Sequence, residues 1–322
     1  MTITARTTSP TGTSPLRDRP AVRHFLEGPA LAPADLSMVL LVTELPADSP
    51  MPTVTVGRIP EVMHEAARLG IRSVKIFAES AERDHTGESS LKPDSLMVRA
   101  ISTAKQAEPA IAVMTETCLC SYTDAGLCYL TDRDGHPDVP ATVDVTARQA
   151  IVHATAGADI VGPASMVLGT TRGARSALDE CGYASVSVMP HVIFHSTLYD
   201  GFRLTMGATP KAGVDREFQI NPSMRTQFID AALRLVRDGA DMLLLEPALF
   251  CTDVLVALKK RALVPLAPFS VSGEYTSLSH LDPDTGKRDV RTLVELFTML
   301  KRSGADACVT YAALEIARQL NG

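Results

Sequence analysis

One local pattern recurs along the chain and constrains its fold more than any other feature. A helix-like stretch ends in Gly, a small or acidic residue follows, and a short apolar run comes next. It reads Leu69-Gly70-Ile71 before SVKIF and Ala156-Gly157-Ala158-Asp159 before IVGP. It returns as Asp238-Gly239-Ala240-Asp241 before MLLLEP and Ser303-Gly304-Ala305-Asp306 before ACVTY. Glycine ends a helix by entering the left-handed region, which has no Cβ penalty for it. The runs that follow are almost uniformly apolar, as strands are when helices cover both faces of a parallel sheet. Further strands are expected at 111–115, 185–189 and 265–271. Helices are expected at about 60–69, 94–107, 144–156, 171–181, 223–238, 252–262 and 290–303. Alternating βα units over some 280 residues with no linker predict one closed parallel barrel, of the TIM (β/α)8 type. A doubly wound sheet is the rival, but no Gly-rich phosphate loop follows the first strand. In a barrel the chemistry lies at the C-terminal ends of the strands, and that rule selects the residues to weigh.

Composition narrows the class. Hydrophobic residues make up 45% and charged residues 21%, which is ordinary globular usage. A net charge of −6 argues against nucleic acid or an anionic membrane surface as partner. No apolar run approaches the roughly 18 residues of a membrane helix. Residues 1–18, rich in Thr, Ser and Pro, contain no apolar block and are expected to be a disordered tail rather than a secretory signal. Six cysteines are present, and without an export signal their clustering implies metal rather than disulfides, in a reducing cytoplasm.

The cluster is Cys118, Cys120 and Cys128, spaced C-x-C-x7-C just after the strand AIAVMT. Three thiolates in one loop are soft ligands that suit zinc, and a fourth position is left for water or substrate. The alternative is three buried thiols acting as small hydrophobes. Cys181, Cys251 and Cys308 are scattered and expected in the core.

The segment CLCSYTDAGLC (118–128), with the elements that follow, resembles the zinc-binding loop of the porphobilinogen synthase (5-aminolevulinate dehydratase) family. SVSGEY (270–275) is similar to that family's substrate-carboxylate loop. YDGFR (199–203) and DREFQINP (215–222) are similar to its flexible region carrying substrate-binding arginines, and VTYAALEIARQL to its last strand and helix. The resemblance covers roughly residues 19–320. It implies a TIM barrel over 46–322 with an extended N-terminal arm at 19–45, zinc as cofactor, and a homo-oligomer, usually an octamer. It implies Arg203, Arg216, Gln219, Ser272 and Tyr311 as grips on a substrate carboxylate.

The same resemblance marks what is missing. The family joins two molecules of a 4-oxo-5-amino acid into a pyrrole and uses two lysines, one of which forms a Schiff base. Its V-K-P motif reads Leu245-Glu246-Pro247 here, and Ile193 stands where the second lysine belongs. Neither amine is present. The family's A-P-S-D-M-M-D-G-R segment reads Gly162 to Thr170, and two histidines of the zinc loop read Ala125 and Leu127.

Glu246 follows an apolar run at a strand end, so burial should raise its carboxyl pKa toward that of a general acid or base. It replaces the lost amine as a proton shuttle or a fourth metal ligand; the alternative is a structural ion pair. His191 and His195 share a face if the chain is extended there, and could meet in the cavity as acid–base groups or metal ligands. Histidines on a lid are the alternative. Lys75, inside a strand, is costly unless paired, and an acid such as Glu79 is the expected partner. Lys75 or Lys211 could otherwise be a relocated amine. Three functions follow. The first is a zinc-dependent, lyase-like enzyme performing a condensation, dehydration or cyclisation of a small amino or keto acid without a Schiff base, in specialised metabolism. The second is an authentic porphobilinogen synthase with a relocated amine. The third is a non-catalytic paralogue that binds a metabolite.

Overall fold

Strand 36–42 sets the frame, because its seven residues LSMVLLV are all buried. The structure is a computed structural model, and it describes residues 19–28, 30–44, 49–210 and 217–322. The chain divides into two units, 1–31 and 32–322. In the first, a short helix spans Pro20–Phe25 and buries none of its residues. The second holds a parallel sheet. Its main strands are β1 (Leu36–Val42), β2 (Ser73–Ala78), β3 (Ala112–Thr117), β4 (Ile160–Pro163), β5, β6 (Leu243–Glu246), β7 (Leu266–Ser270) and β8 (Cys308–Thr310), and the short piece Thr53–Val54 pairs with the end of β1. β5 comes in two pieces, Ser187–Val188 and His191–Ile193, parted at Pro190.

The sheet runs β5(first piece)–β4–β3–β2–β1–β8–β7–β6–β5(second piece), so its two ends are one strand and it closes into a TIM barrel. β1 begins inside the 19–45 stretch expected as the arm. It was missed as a strand because a 3-10 turn at Pro33–Asp35 precedes it rather than a helix and Gly.

The recurrent glycines do what their pattern predicts. Gly70, Gly157, Gly239 and Gly304 have φ of 87°, 106°, 100° and 115°. The acid two residues on has a role that the pattern did not reveal. Asp159 Oδ2 accepts from Val113 N at 2.8 Å, Asp241 Oδ2 from Val188 N at 2.8 Å, and Asp306 Oδ2 from Leu266 N at 2.9 Å. Each carboxylate thus ties the start of its own strand to the start of a neighbour. Lys105 and Lys259 bind Asp159 and Asp306 at 2.9 and 2.7 Å from the surrounding helix layer.

That layer matches the expected positions, with helices at Ile59–Leu69, Leu96–Ala107, Val139–Thr155, Thr170–Glu180, Arg225–Arg237, Thr252–Lys259 and Arg291–Ser303. Val139–Thr155 starts earlier than expected because the Asp138 side chain accepts from Ala141 N and Pro140 suits the first turn. Among the described residues no helix is long and apolar enough to cross a membrane. Cys251 and Cys308 are buried as expected, but Cys181 is exposed at the C-terminal end of its helix.

Candidate active site

The C-terminal strand ends surround a cavity. Phe77 reaches it from β2, Glu116 from β3, His191 and Ile193 from β5, Glu246 from β6 and Phe269 from β7. Ala164, Val271 and Tyr311 line it just beyond their strands; Tyr199 comes from the 3-10 turn Thr197–Tyr199, Phe202 and Arg203 from the helix Asp200–Thr205, and Gln219, Cys120 and Cys128 from loops.

At its centre His191 Nδ1 lies 2.8 Å from Glu246 Oε1, with the two side chains 2% and 5% exposed. Burial raises the Glu246 carboxyl well above its usual range; the nearby Glu116 carboxylate pushes the same way and the Lys75 ammonium opposes. Burial, then Lys75, pushes His191 well below the usual imidazole range. Both shifts favour the neutral forms of this dyad, a carboxylic acid and an imidazole, over the ion pair. The opposite ring nitrogen, Nε2, is buried with no hydrogen-bond partner among the described residues. The ring fits because residue 162 is Gly: a Cβ there would stand 3.2 Å from His191 Nε2 and 2.9 Å from Thr115 O.

The loop after Glu246 is fixed from the short helix Ser272–Leu278, which follows β7. Glu274, fully buried, accepts from Leu249 N at 2.5 Å, Val271 N at 2.6 Å and Ala248 N at 3.3 Å. Below the dyad, Lys75 is also fully buried, and its Nζ donates to Thr115 O at 3.3 Å. Burial lowers its pKa to about 8 while Glu116 and Glu246 resist. Its acids are therefore Glu116 and Glu246, not Glu79 as expected, because the side chain points into the barrel below the cavity while Glu79 lies beyond the strand end. Nor does Lys75 line the cavity.

The cysteine loop meets the cavity from one side. The Sγ atoms of Cys118, Cys120 and Cys128 lie within 4.8 Å of one another, with Cys118 and Cys120 at 3.5 Å. Gln149 Nε2 holds Cys118 O at 3.0 Å and Arg83 Nη1 holds Cys120 O at 3.2 Å. Hydrogen bonding among the sulfurs and burial hold the Cys118 thiol well above its usual range. Three converging thiols that resist ionisation alone are a donor set completed by a soft dication, so these residues fit zinc.

The remaining grips divide. Arg203 lines the cavity, with Nη1 on Asp200 at 3.0 Å and its guanidinium 5.5 Å from the Tyr199 ring. Gln219 and Tyr311 line it too. Ser272 does not: its Oγ donates to Leu198 O at 2.8 Å, in the 3-10 turn Thr197–Tyr199. Arg216 and Lys211 lie outside the described residues. His195 is a correction. The strand pairing ends at Ile193, and Phe194 bridges to Ile220 instead. The extended geometry that would have brought His195 beside His191 stops there, and His195 is exposed. Sequence reasoning passed over Glu116, although its place two residues after the inward Met114 is the period of a strand. It also passed over Tyr199 and the Phe77–Phe202–Phe269 wall, whose rings stand 5.2 and 6.1 Å apart. No local motif marks such a wall.

The model of the delta-aminolevulinic acid dehydratase family matches residues 13–319. The chain belongs to this family. Dehydratases similar to it include that of Bacillus subtilis, 30% identical over 95% of this chain and 96% of the relative. The Escherichia coli dehydratase is 33% identical over 94% and 96%. Among solved structures, the Toxoplasma gondii delta-aminolevulinic acid dehydratase superposes with a TM-score of 0.88 at 28% identity, covering 95% of this chain and 91% of that one. That enzyme was crystallised with its product, porphobilinogen. An aldolase at 11% identity and a TM-score of 0.51 shares only the fold. The family is one of lyases, and its architecture is the TIM barrel described above.

Proposed function

We propose that the chain is a zinc-dependent lyase-like enzyme that condenses, dehydrates or cyclises a small amino or keto acid without a Schiff base. One observation carries the reading. Where the family resemblance expects an essential lysine, Glu246 stands at the cavity centre, hydrogen-bonded to His191. An amine activates a ketone by forming an iminium; a carboxylic acid beside an imidazole moves protons instead.

Cys118, Cys120 and Cys128 would hold the zinc, which when bound supplies Lewis acidity toward a carbonyl or amine at the cavity wall. The chain's own groups do the rest. Arg203 and Tyr311 bind and orient the acid's carboxylate, with Gln219 beside them; Arg216 is proposed to join them. The aromatic wall excludes water, which strengthens every polar contact inside. Glu246 gives a proton to a carbonyl or leaving oxygen, and the carboxylate so formed takes one back from a substrate carbon, held in position by its hydrogen bond to His191. We further propose a cytoplasmic homo-oligomer, an octamer by resemblance, joined through an arm that precedes β1.

The test pairs metal analysis with product analysis. The expected result is one zinc per chain and turnover of a 4-oxo acid that Cys120→Ala abolishes. Borohydride in the presence of 5-aminolevulinate should trap no lysine adduct. Pyrrole formation with an adduct on Lys75 or Lys211 would overturn the reading in favour of a relocated amine. Stoichiometric ligand binding without turnover of any acid would leave a metabolite-binding paralogue.

A further inference from the structure

Beside the main cavity lies a second, narrower recess lined by Leu127, Cys128, Tyr129, Ser165, Phe218 and Gln219. Cys128 and Gln219 line both spaces, so the two adjoin across those side chains. The recess has a different chemistry from the cavity. Leu127, Tyr129 and Ser165 are 4%, 5% and 4% exposed, and Val167 backs Leu127 and Tyr129 in one buried cluster. Tyr129 and Phe218 meet edge to face at 5.1 Å between ring centroids. Ser165 Oγ is turned back to its own loop, where it accepts from Val167 N at 3.2 Å. Among the described residues no acid and no cation lines this space. At the junction the Gln219 carboxamide Oε1 is buried with no hydrogen-bond partner among the described residues.

We infer that the recess beyond Cys128 and Gln219 is a specificity slot for a short alkyl substituent on the substrate's carbonyl side. The inference rests on the keto-acid reading above and narrows it to a substrate class, 4-oxo acids with an apolar terminus. An acid held at Arg203 and Tyr311, with its carbonyl at the His191–Glu246 dyad and the cysteines, directs its far end past Cys128. A methylene chain entering the slot leaves water for Leu127, Tyr129 and Phe218. An ammonium entering it loses its hydration and finds no counter-charge among the described residues, which is far more costly. The slot therefore selects against the aminomethyl end of 5-aminolevulinate. 4-Oxohexanoate has the same skeleton with a methyl group in place of that ammonium.

Calorimetric titration of the full chain, with and without added zinc, tests this using levulinate, 4-oxohexanoate, 4-oxoheptanoate and 5-aminolevulinate. The expected result is a Kd that falls about fourfold for each added methylene, from about 0.8 kcal/mol per buried CH₂. 4-Oxohexanoate should bind more tightly than 5-aminolevulinate. Leu127→Gln and Phe218→Ala should flatten the series; Phe218 is only half-buried, so its variant tests the slot even if the first fails to fold. Equal affinity along the wild-type series, or tighter binding of 5-aminolevulinate than of 4-oxohexanoate, overturns the slot alone. A rising series that is indifferent to zinc upholds the slot and removes the metal from the reading above. If no member binds, the slot and the keto-acid reading fall together.

Discussion

Ile193 stands directly across from Glu246 on neighbouring parallel strands, and both face the cavity. The two positions at which the family resemblance expects lysines are thus one cross-strand pair, and here the pair is an aliphatic residue and a buried acid. The pair thus offers one buried carboxyl, which shares a 2.8 Å hydrogen bond with the imidazole of His191.

The dyad separates charge from shape. Glu246→Gln keeps a hydrogen bond to His191 and should change stability by no more than about 1 kcal/mol, while turnover falls 10²- to 10⁴-fold. Glu246→Ala leaves a buried imidazole nitrogen unsatisfied and should cost about 1–3 kcal/mol as well. Urea denaturation beside a turnover assay distinguishes the two. Equal stability losses would mean that the 2.8 Å contact contributes nothing.

Gly162→Ala should disrupt the same dyad from behind. The new Cβ would meet Thr115 O at 2.9 Å, Met189 O at 3.0 Å and His191 Nε2 at 3.2 Å. Two of these are backbone atoms, so relief requires strand movement, and a loss of about 1–3 kcal/mol is expected. A melting temperature equal to that of wild type would contradict it.

Metal removal should lower the melting temperature, because a ligand that binds only the folded state stabilises it by mass action. Cys128→Ser should lose both the bound zinc and the chelator effect. Cys181→Ser, at an exposed position, should keep both. Metal analysis and differential scanning fluorimetry report the outcome, and a chelator effect that survives Cys128→Ser would place the ion elsewhere.

Glu274 gives the pH dependence a sign. Burial lifts its carboxyl to about 7, against three backbone N–H donors that favour the anion. The unfolded chain titrates near 4.3, so between these values the folded state binds more protons. Its contribution to stability is then complete below the unfolded pKa and is lost as pH rises through about 7. Relative to Glu274→Gln, wild type should lose up to about 3 kcal/mol between pH 4.5 and 8. Urea unfolding at both pH values checks this, and parallel curves would refute it.

Ser272→Ala should cost about 1 kcal/mol through the lost bond to Leu198 O and leave ligand affinity unchanged. A weaker Kd for levulinate, at unaltered stability, would return Ser272 to the substrate grips.

Much of the barrel was legible because its punctuation is local. Gly157, Gly239 and Gly304 mark helix ends from within a few residues, and the apolar runs after them are strands wherever both sheet faces are covered. Leu36–Val42 lacks that punctuation. The site was legible where a strand end fixes direction: Glu246 and His191 both face inward, as alternation requires. It failed where pairing stops, at His195, and where a long side chain chooses its partner in three dimensions. Lys75 is four residues from Glu79 in sequence, but its burial beneath Glu116 and Glu246 is a property of barrel curvature. The Asp of each Gly-Ala-Asp was visible as a repeat, but its bond to the next strand was not, because that partner is 40 to 53 residues away.

Those three aspartates have a consequence for how such a chain could change its chemistry. They clasp the barrel at the rim opposite the cavity, where no substrate reaches. Residues at the mouth can therefore be exchanged, an amine for an acid or a polar group for an aliphatic one, while the clasps at the base keep the staves aligned.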